Sequence, residues 1–159
     1  MPSKGIVRSR DRRHSTSDRK GLDTDHVTEF LAGDRKVMAR LATLDPNEIA
    51  TTIITVQEIF NGWIPRINDC KQDAQLPYLY GELLTSMNFF KAIEILPFDD
   101  RALLHQQRLL ALNSRLSRNR LQKDLRIASI ALSVDAILVT RNRRDFSQIP
   151  DLRIENWLD

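Results

Sequence analysis

The run KDLRIASIALSVDAILVTRNRRDF, residues 123–146, constrains this chain more than any other stretch, because it puts a helix, a strand and two acidic residues in one fixed order. After Asp124 the polar positions Arg126, Ser129 and Ser133 recur at spacings of three and four with mostly apolar residues between them. That pattern predicts a helix with one narrow polar stripe. Past a break at Asp135, residues 136–140 (AILVT) form a continuous branched, apolar run, the composition of a strand covered on both faces in a parallel sheet. The strand then ends abruptly in Arg141, Asn142, Arg143, Arg144 and Asp145. In open α/β sheets ligands bind beyond the carboxyl ends of the strands, so this charged turn belongs at a binding edge. Asp124, at the start of the helix, reaches the same edge if the helix packs antiparallel to the strand.

The rest of the chain repeats the alternation. Helices are expected over residues 26–31, closed by Gly33, over 34–44 before Pro46, over 56–67 with a stripe of Val56, Ile59, Phe60, Trp63 and Ile67, over 76–90, and from Asp99 or Asp100 to about Leu116. Strand composition marks residues 48–55 (EIATTIIT), 93–98 and 152–157. Strands alternating with helices predict an α/β fold with a parallel sheet sandwiched by helices. The chain has 159 residues and 42% apolar content, enough for one domain with a genuine core.

Charge divides the chain unevenly. Residues 1–20 carry seven basic and two acidic residues, net +5, which leaves −2 for the remainder of a chain whose total is +3. The reading is a basic, disordered arm over 1–20 and a folded domain over 21–159. A slightly acidic domain makes the overall basicity weak support for nucleic-acid binding by the domain itself. The lone Cys70 excludes an intramolecular disulfide and any cysteine-based metal site. No apolar run is long enough to cross a membrane, so a cytoplasmic location is expected.

Four acids stand at strand-to-helix junctions or helix starts: Asp23, Glu58, Asp124 and Asp145. Carboxylates brought to one sheet edge repel unless they are protonated, spread apart or neutralised by a cation. A hard divalent ion, Mg²⁺ or Mn²⁺, takes oxygen ligands and would resolve the repulsion while activating water against a phosphodiester. Three of the four also have a plain structural reading, whereas Asp23 does not, because Asp25 already serves the turn after the strand. Thr55 and Glu58 have the spacing of a capping box, Asp124 suits the dipole of a first helical turn, Asp145 could be a turn residue, and Asp25 could cap the helix that follows it. His14, His26 and His105 are scattered and read as surface residues, and Trp63 and Trp157 as core.

Together, Leu22-Asp23-Thr24-Asp25, Thr55-Val56-Gln57-Glu58, Asp124-Leu125-Arg126-Ile127-Ala128 and residues 138–146 (LVTRNRRDF) resemble the ordered signatures of the PIN domain, and within it the VapC-like toxins of bacterial toxin–antitoxin pairs. The resemblance spans about residues 21–158. It implies a three-layer α/β/α fold with a central parallel sheet and a metal-dependent ribonuclease acting on single-stranded RNA. It assigns Asp23, Asp124 and Asp145, the first, third and fourth acids, as ligands of Mg²⁺ or Mn²⁺, with Glu58, the second, positioning or deprotonating water. Thr140, Arg141 and Asn142 fall where substrate would bind, and Arg143 and Arg144 flank them. A cognate antitoxin protein and a homodimer are the implied partners. Two departures accompany the match. The polar run Asp18-Arg19-Lys20-Gly21 precedes Leu22 where a central strand should be apolar, and Leu121-Gln122-Lys123 precedes Asp124 where relatives carry Gly and Ser or Thr. They sustain an alternative, a catalytically weakened PIN-like protein that works as a binding or regulatory module.

Overall fold

A computed structural model describes residues 19–159. The proposed arm therefore lies almost wholly outside the described residues. Five strands, β1 (Lys20–Leu22), β2 (Ile49–Thr52), β3 (Glu94–Leu96), β4 (Ile137–Val139) and β5 (Ile154–Glu155), form one all-parallel sheet in the order β3-β2-β1-β4-β5. Between them run α1 (Thr24–Leu31), α2 (Arg35–Ala42), α3 (Ile53–Asn68), α4 (Leu76–Ala92), α5 (Asp100–Leu112), α6 (Gln122–Ser133) and the single turn α7 (Arg143–Phe146). Among the described residues no helix is long and apolar enough to cross a membrane.

Each face of the sheet has its own core, because successive strand residues point to opposite sides. Leu22, Ile49 and Val139 join Val27 and Val37 of α1 and α2, Val56 and Ile59 of α3 and Phe90 of α4 on one face. Ala50, Leu96 and Leu138 join Ala102 and Leu109 of α5, Leu125, Ile127, Ala128 and Ile130 of α6 and Phe146 of α7 on the other. The layers are helix, sheet, helix, the three-layer architecture anticipated from the alternation.

The polar approach to Leu22 has a physical explanation. The central strand β1 is only three residues long, and its burial pattern runs from half-buried Lys20 to fully buried Leu22. Lys20 opens the strand, and its half-buried side chain is satisfied by an ion pair from its ammonium to Glu155 Oε1 of β5 at 2.6 Å. A three-residue strand needs only its last two positions to be apolar or small.

Two boundaries differ from expectation. The β-branched run Ile53-Ile54-Thr55 looks like strand but opens α3, and Thr52, not Thr55, is its cap, with Thr52 Oγ1 accepting from Thr55 N–H at 3.2 Å. Glu58 is therefore the sixth helical residue, out of reach of a capping box, and its carboxylate is free for other partners. Similarly, α1 is capped by Asp23, whose Oδ1 accepts from Thr24 N–H at 2.8 Å, and Asp25 lies inside the first turn. Gly33, at φ +83°, closes α1 as the glycine pattern required.

Candidate functional site at the carboxyl edge of the sheet

Every strand of a parallel sheet delivers its following segment to the same edge. Asp23 follows β1 directly, and its backbone N–H continues the ladder to Val139 O at 2.9 Å. Glu58 lies less than two turns into the helix that follows β2. Thr140, Arg141 and Asn142 leave β4. Asp124 enters from the far side in the first turn of α6, which runs antiparallel to the strand that succeeds it. Asp145 is carried by α7, capped by Asn142.

These residues are linked. Thr140, fully buried, donates its hydroxyl to Asp23 Oδ2 at 2.7 Å. Asn142 Nδ2 stands 3.3 Å from both Asp124 Oδ2 and Asp145 Oδ2, so one side-chain amide bridges two of the acids. Thr24 donates its hydroxyl to Glu58 Oε2, joining the first and second acidic segments. Arg120 Nη1 lies 3.3 Å from Asp145 Oδ1, and Lys123 Nζ lies 3.6 Å from Glu58 Oε1. Thus Asp23, Glu58, Asp124 and Asp145, singled out from sequence, share one edge with Thr140 and Asn142. Arg141 is exposed at the rim, its guanidinium 3.6 Å from Glu29 Oε1.

The electrostatics are those of crowded carboxylates. Asp23 is pushed up from 3.8 to about 7, chiefly by burial and next by the charge of Asp25, against the opposing hydrogen bonds from Thr140 and Thr24. Asp124 is pushed up to about 6 by its own burial and by the charges of Asp145 and Glu58, with Arg120 and Asn142 opposing. Asp25 moves the other way. Burial works to raise it, but the hydrogen bonds from His26 and from Arg141 N–H outweigh that and hold it below the usual carboxylate range.

Among the described residues no three carboxylate, imidazole or thiolate groups already converge as a finished metal cage. The donor set nevertheless fits a hard divalent ion. It is all oxygen, it carries charge that burial and mutual repulsion have raised in energy, and Asp145 Oδ1 is buried without a hydrogen bond, since the Arg120 guanidinium is within ion-pair distance but not in hydrogen-bonding geometry.

Sequence reasoning missed two residues here. His26, read as a surface residue, is completely buried. Its Nδ1 lies 2.6 Å from Asp25 Oδ1, its Nε2 accepts from Trp157 N–H at 3.2 Å, and its ring meets the edge of the Trp157 ring. A lone histidine has no periodic signal, and only its adjacency to Asp25 could have raised the question. Asp25 itself, read as a helix cap, accepts from Arg141 N–H at 2.9 Å through Oδ2 and so holds the turn that leaves β4. Trp157, read as core, is buried as expected.

No protein-family model matches the chain. Among curated proteins it is 28% identical over 138 residues to Ribonuclease VapC1 of Haemophilus influenzae strain R2866, spanning 86% of this chain and 96% of that one. It is 35% identical over a shorter stretch, 69 residues, to the tRNA(fMet)-specific endonuclease VapC of Salmonella typhimurium, which covers 43% of this chain and 52% of that one. Among solved structures it superposes on a chain of DNA-bound VapBC from Salmonella typhimurium with a TM-score of 0.69 and 26% identity, over 87% of this chain and 98% of that one. VapBC-1 from nontypeable Haemophilus influenzae gives a TM-score of 0.68 at 24% identity, over 88% and 98%.

Proposed function

We infer that this chain is a VapC-like PIN-domain ribonuclease, the toxin of a toxin–antitoxin pair, and that it hydrolyses phosphodiester bonds of single-stranded RNA with Mg²⁺ or Mn²⁺. The observation that carries the reading is the meeting of Asp23, Glu58, Asp124 and Asp145 at the carboxyl edge of a parallel sheet whose fold and length match VapC chains almost end to end.

Asp23, Asp124 and Asp145 would hold the divalent ion, which when bound supplies positive charge to the phosphate and to the departing oxygen. The chain's own groups do the rest. Thr140 fixes the Asp23 carboxylate, leaving its syn and anti lone pairs in a set orientation. Asn142 holds Asp124 and Asp145 side by side. Glu58, oriented by Thr24, takes a proton from the attacking water, whose oxygen forms the new bond to phosphorus as the bridging P–O bond breaks and the departing alkoxide takes a proton from bulk water. Arg141 at the rim, with Asn142 beside it, is placed in sequence to meet substrate phosphate. A cognate antitoxin protein is supported by the VapBC complexes among the structural neighbours, and a homodimer and a cytoplasmic setting complete the proposal.

Besides the two departures in the sequence, one structural observation favours the alternative of a catalytically weakened PIN-like module: an amide, Asn142, stands between Asp124 and Asp145 where a further carboxylate would strengthen the ion's hold. Calorimetric titration of Mn²⁺ into the parent and into Asp124→Asn separates the two, followed by cleavage of single-stranded RNA. Binding and cleavage by the parent, both lost in Asp124→Asn, support the ribonuclease. A parent that binds Mn²⁺ without cutting any RNA supports the weakened module, and one that binds no ion overturns the metal site.

A further inference from the structure

Two cations guard this acidic edge, and they come from one short segment. Arg120 is the middle residue of a 3-10 turn (Asn119–Leu121) and Lys123 is the second residue of α6, so they stand on either side of the helix start that carries Asp124. They reach in different directions. Lys123 pairs with Glu58 on α3 at 3.6 Å, and Arg120 pairs with Asp145 on α7 at 3.3 Å.

Helix stability does not account for them. The start of a helix is its positive end, where basic side chains are unfavourable, and α6 begins without any side-chain cap hydrogen bond. Only Asp124, in the same turn, is of the favourable sign. Nor do these pairs hold the fold together, because the Lys123 and Arg120 side chains are 50% and 53% exposed, and ion pairs between exposed groups contribute little. What remains is charge at the mouth of the site. Four carboxylates repel a polyanion, and the partners that Lys123 and Arg120 now hold are two of those carboxylates.

The geometry points to Lys123 and Arg120 as exchangeable rim cations, which neutralise Glu58 and Asp145 while the site lacks a divalent ion and turn to the phosphates of the substrate strand when the ion takes over that charge. Arg120 suits two oxygens of one phosphate through its planar fork, and Lys123 suits a single oxygen on the Glu58 side. The pair would set the register of the strand across Asp124 without reading its bases. This inference rests on the nuclease reading of the same site.

Two binding measurements test it without relying on turnover. The first is Mn²⁺ titration, and the second is the affinity of a single-stranded phosphorothioate RNA oligonucleotide over a range of salt. Both are made on the parent, Lys123→Ala, Arg120→Ala and the double variant, with Arg66→Ala, two turns beyond Glu58 on α3, as the control for loss of one positive charge. Removing each rim cation should tighten Mn²⁺ binding by about 2- to 5-fold, weaken oligonucleotide binding by about 3- to 10-fold and flatten its salt dependence, whereas Arg66→Ala changes neither by as much. Opposite signs in the two titrations are the signature of exchange. Variants that bind oligonucleotide like the parent, or that lose Mn²⁺ and oligonucleotide affinity together, overturn the inference while leaving a nuclease that binds and cuts. A parent that binds neither ion nor oligonucleotide overturns both readings at once.

Discussion

The hydroxyl of Thr140 donates to Oδ2 of Asp23 at 2.7 Å, and both groups are buried, so the residue that follows β4 orients the acid that follows β1. Neighbouring parallel strands deliver the two side chains to the same depth, because Leu22 pairs with Val139 in the sheet register. Replacement of Thr140 by Val keeps the shape and removes the donor. Urea denaturation at pH 8 should show a loss of about 1–3 kcal/mol, and a smaller loss at pH 5, where the Asp23 carboxyl is neutral and less costly to leave unpaired. An equal loss at both values would mean that packing, not the hydrogen bond, explains the threonine.

The two raised acids make stability fall as pH rises. Asp23 at about 7 and Asp124 at about 6 both lie above the ordinary 3.8, so between these values the folded protein holds protons that the unfolded chain releases. Their stabilising contribution is complete below about pH 4 and is lost as pH climbs through 6 to 7. Asp25 has the opposite sign, and its lowered value confines its effect to acid below the ordinary carboxylate range. Without divalent ions, thermal denaturation should therefore give a higher Tm at pH 5 than at pH 8. The difference attributable to buried Asp23 is on the order of 3 kcal/mol. Mn²⁺ should reverse the trend, since ion and protons compete for the same oxygens.

Asp23→Asn and Asp124→Asn should separate catalysis from stability. Each removes one charge from a repelling group, so the ion-free protein at pH 8 becomes more stable, Asp23→Asn by more because burial is the larger part of its penalty. Cleavage of single-stranded RNA should fall by about 100-fold or more in both. Loss of stability in either variant would mark the acid as structural.

Much of this architecture is legible in the sequence. The alternation of periods placed the sheet, and the four acids fell at the ends of strands or the starts of helices that a parallel sheet must bring together. What escaped were choices made by tertiary context. Ile53-Ile54-Thr55 has strand composition, yet Thr52 ends β2 and caps α3, because the buried faces of Ile54 and Val56 suit the helix layer as well as the sheet. The cap of α1 falls to Asp23 and not to Asp25, because only the position of Arg141, 116 residues away from Asp25, decides that Asp25 meets the β4 turn. Burial of His26 depends on Trp157, from the far end of the chain, and no local pattern encodes it.

His26→Phe should weaken both the fold and the site. The ring volume is retained, but Asp25 Oδ1 and Trp157 N–H lose their partner in the interior. A stability loss of about 2–4 kcal/mol is expected by denaturant titration. With Asp25 no longer held, the Arg141–Asn142 turn loosens, and kcat should fall more than KM rises. His26→Gln, which keeps a donor and an acceptor, should recover part of kcat.

The strand at the centre of the sheet is among the first described residues to be made and the last to be housed. Lys20–Leu22 can lie between β2 and β4 only when Ile137–Val139 exists, and the acid on α7 comes later still. A ribosome that has produced the first hundred residues has therefore made two of the four carboxylates and no enclosed place for either. The same long-range pairing that slows folding also leaves the acidic edge unassembled until β4 and α7 have been made.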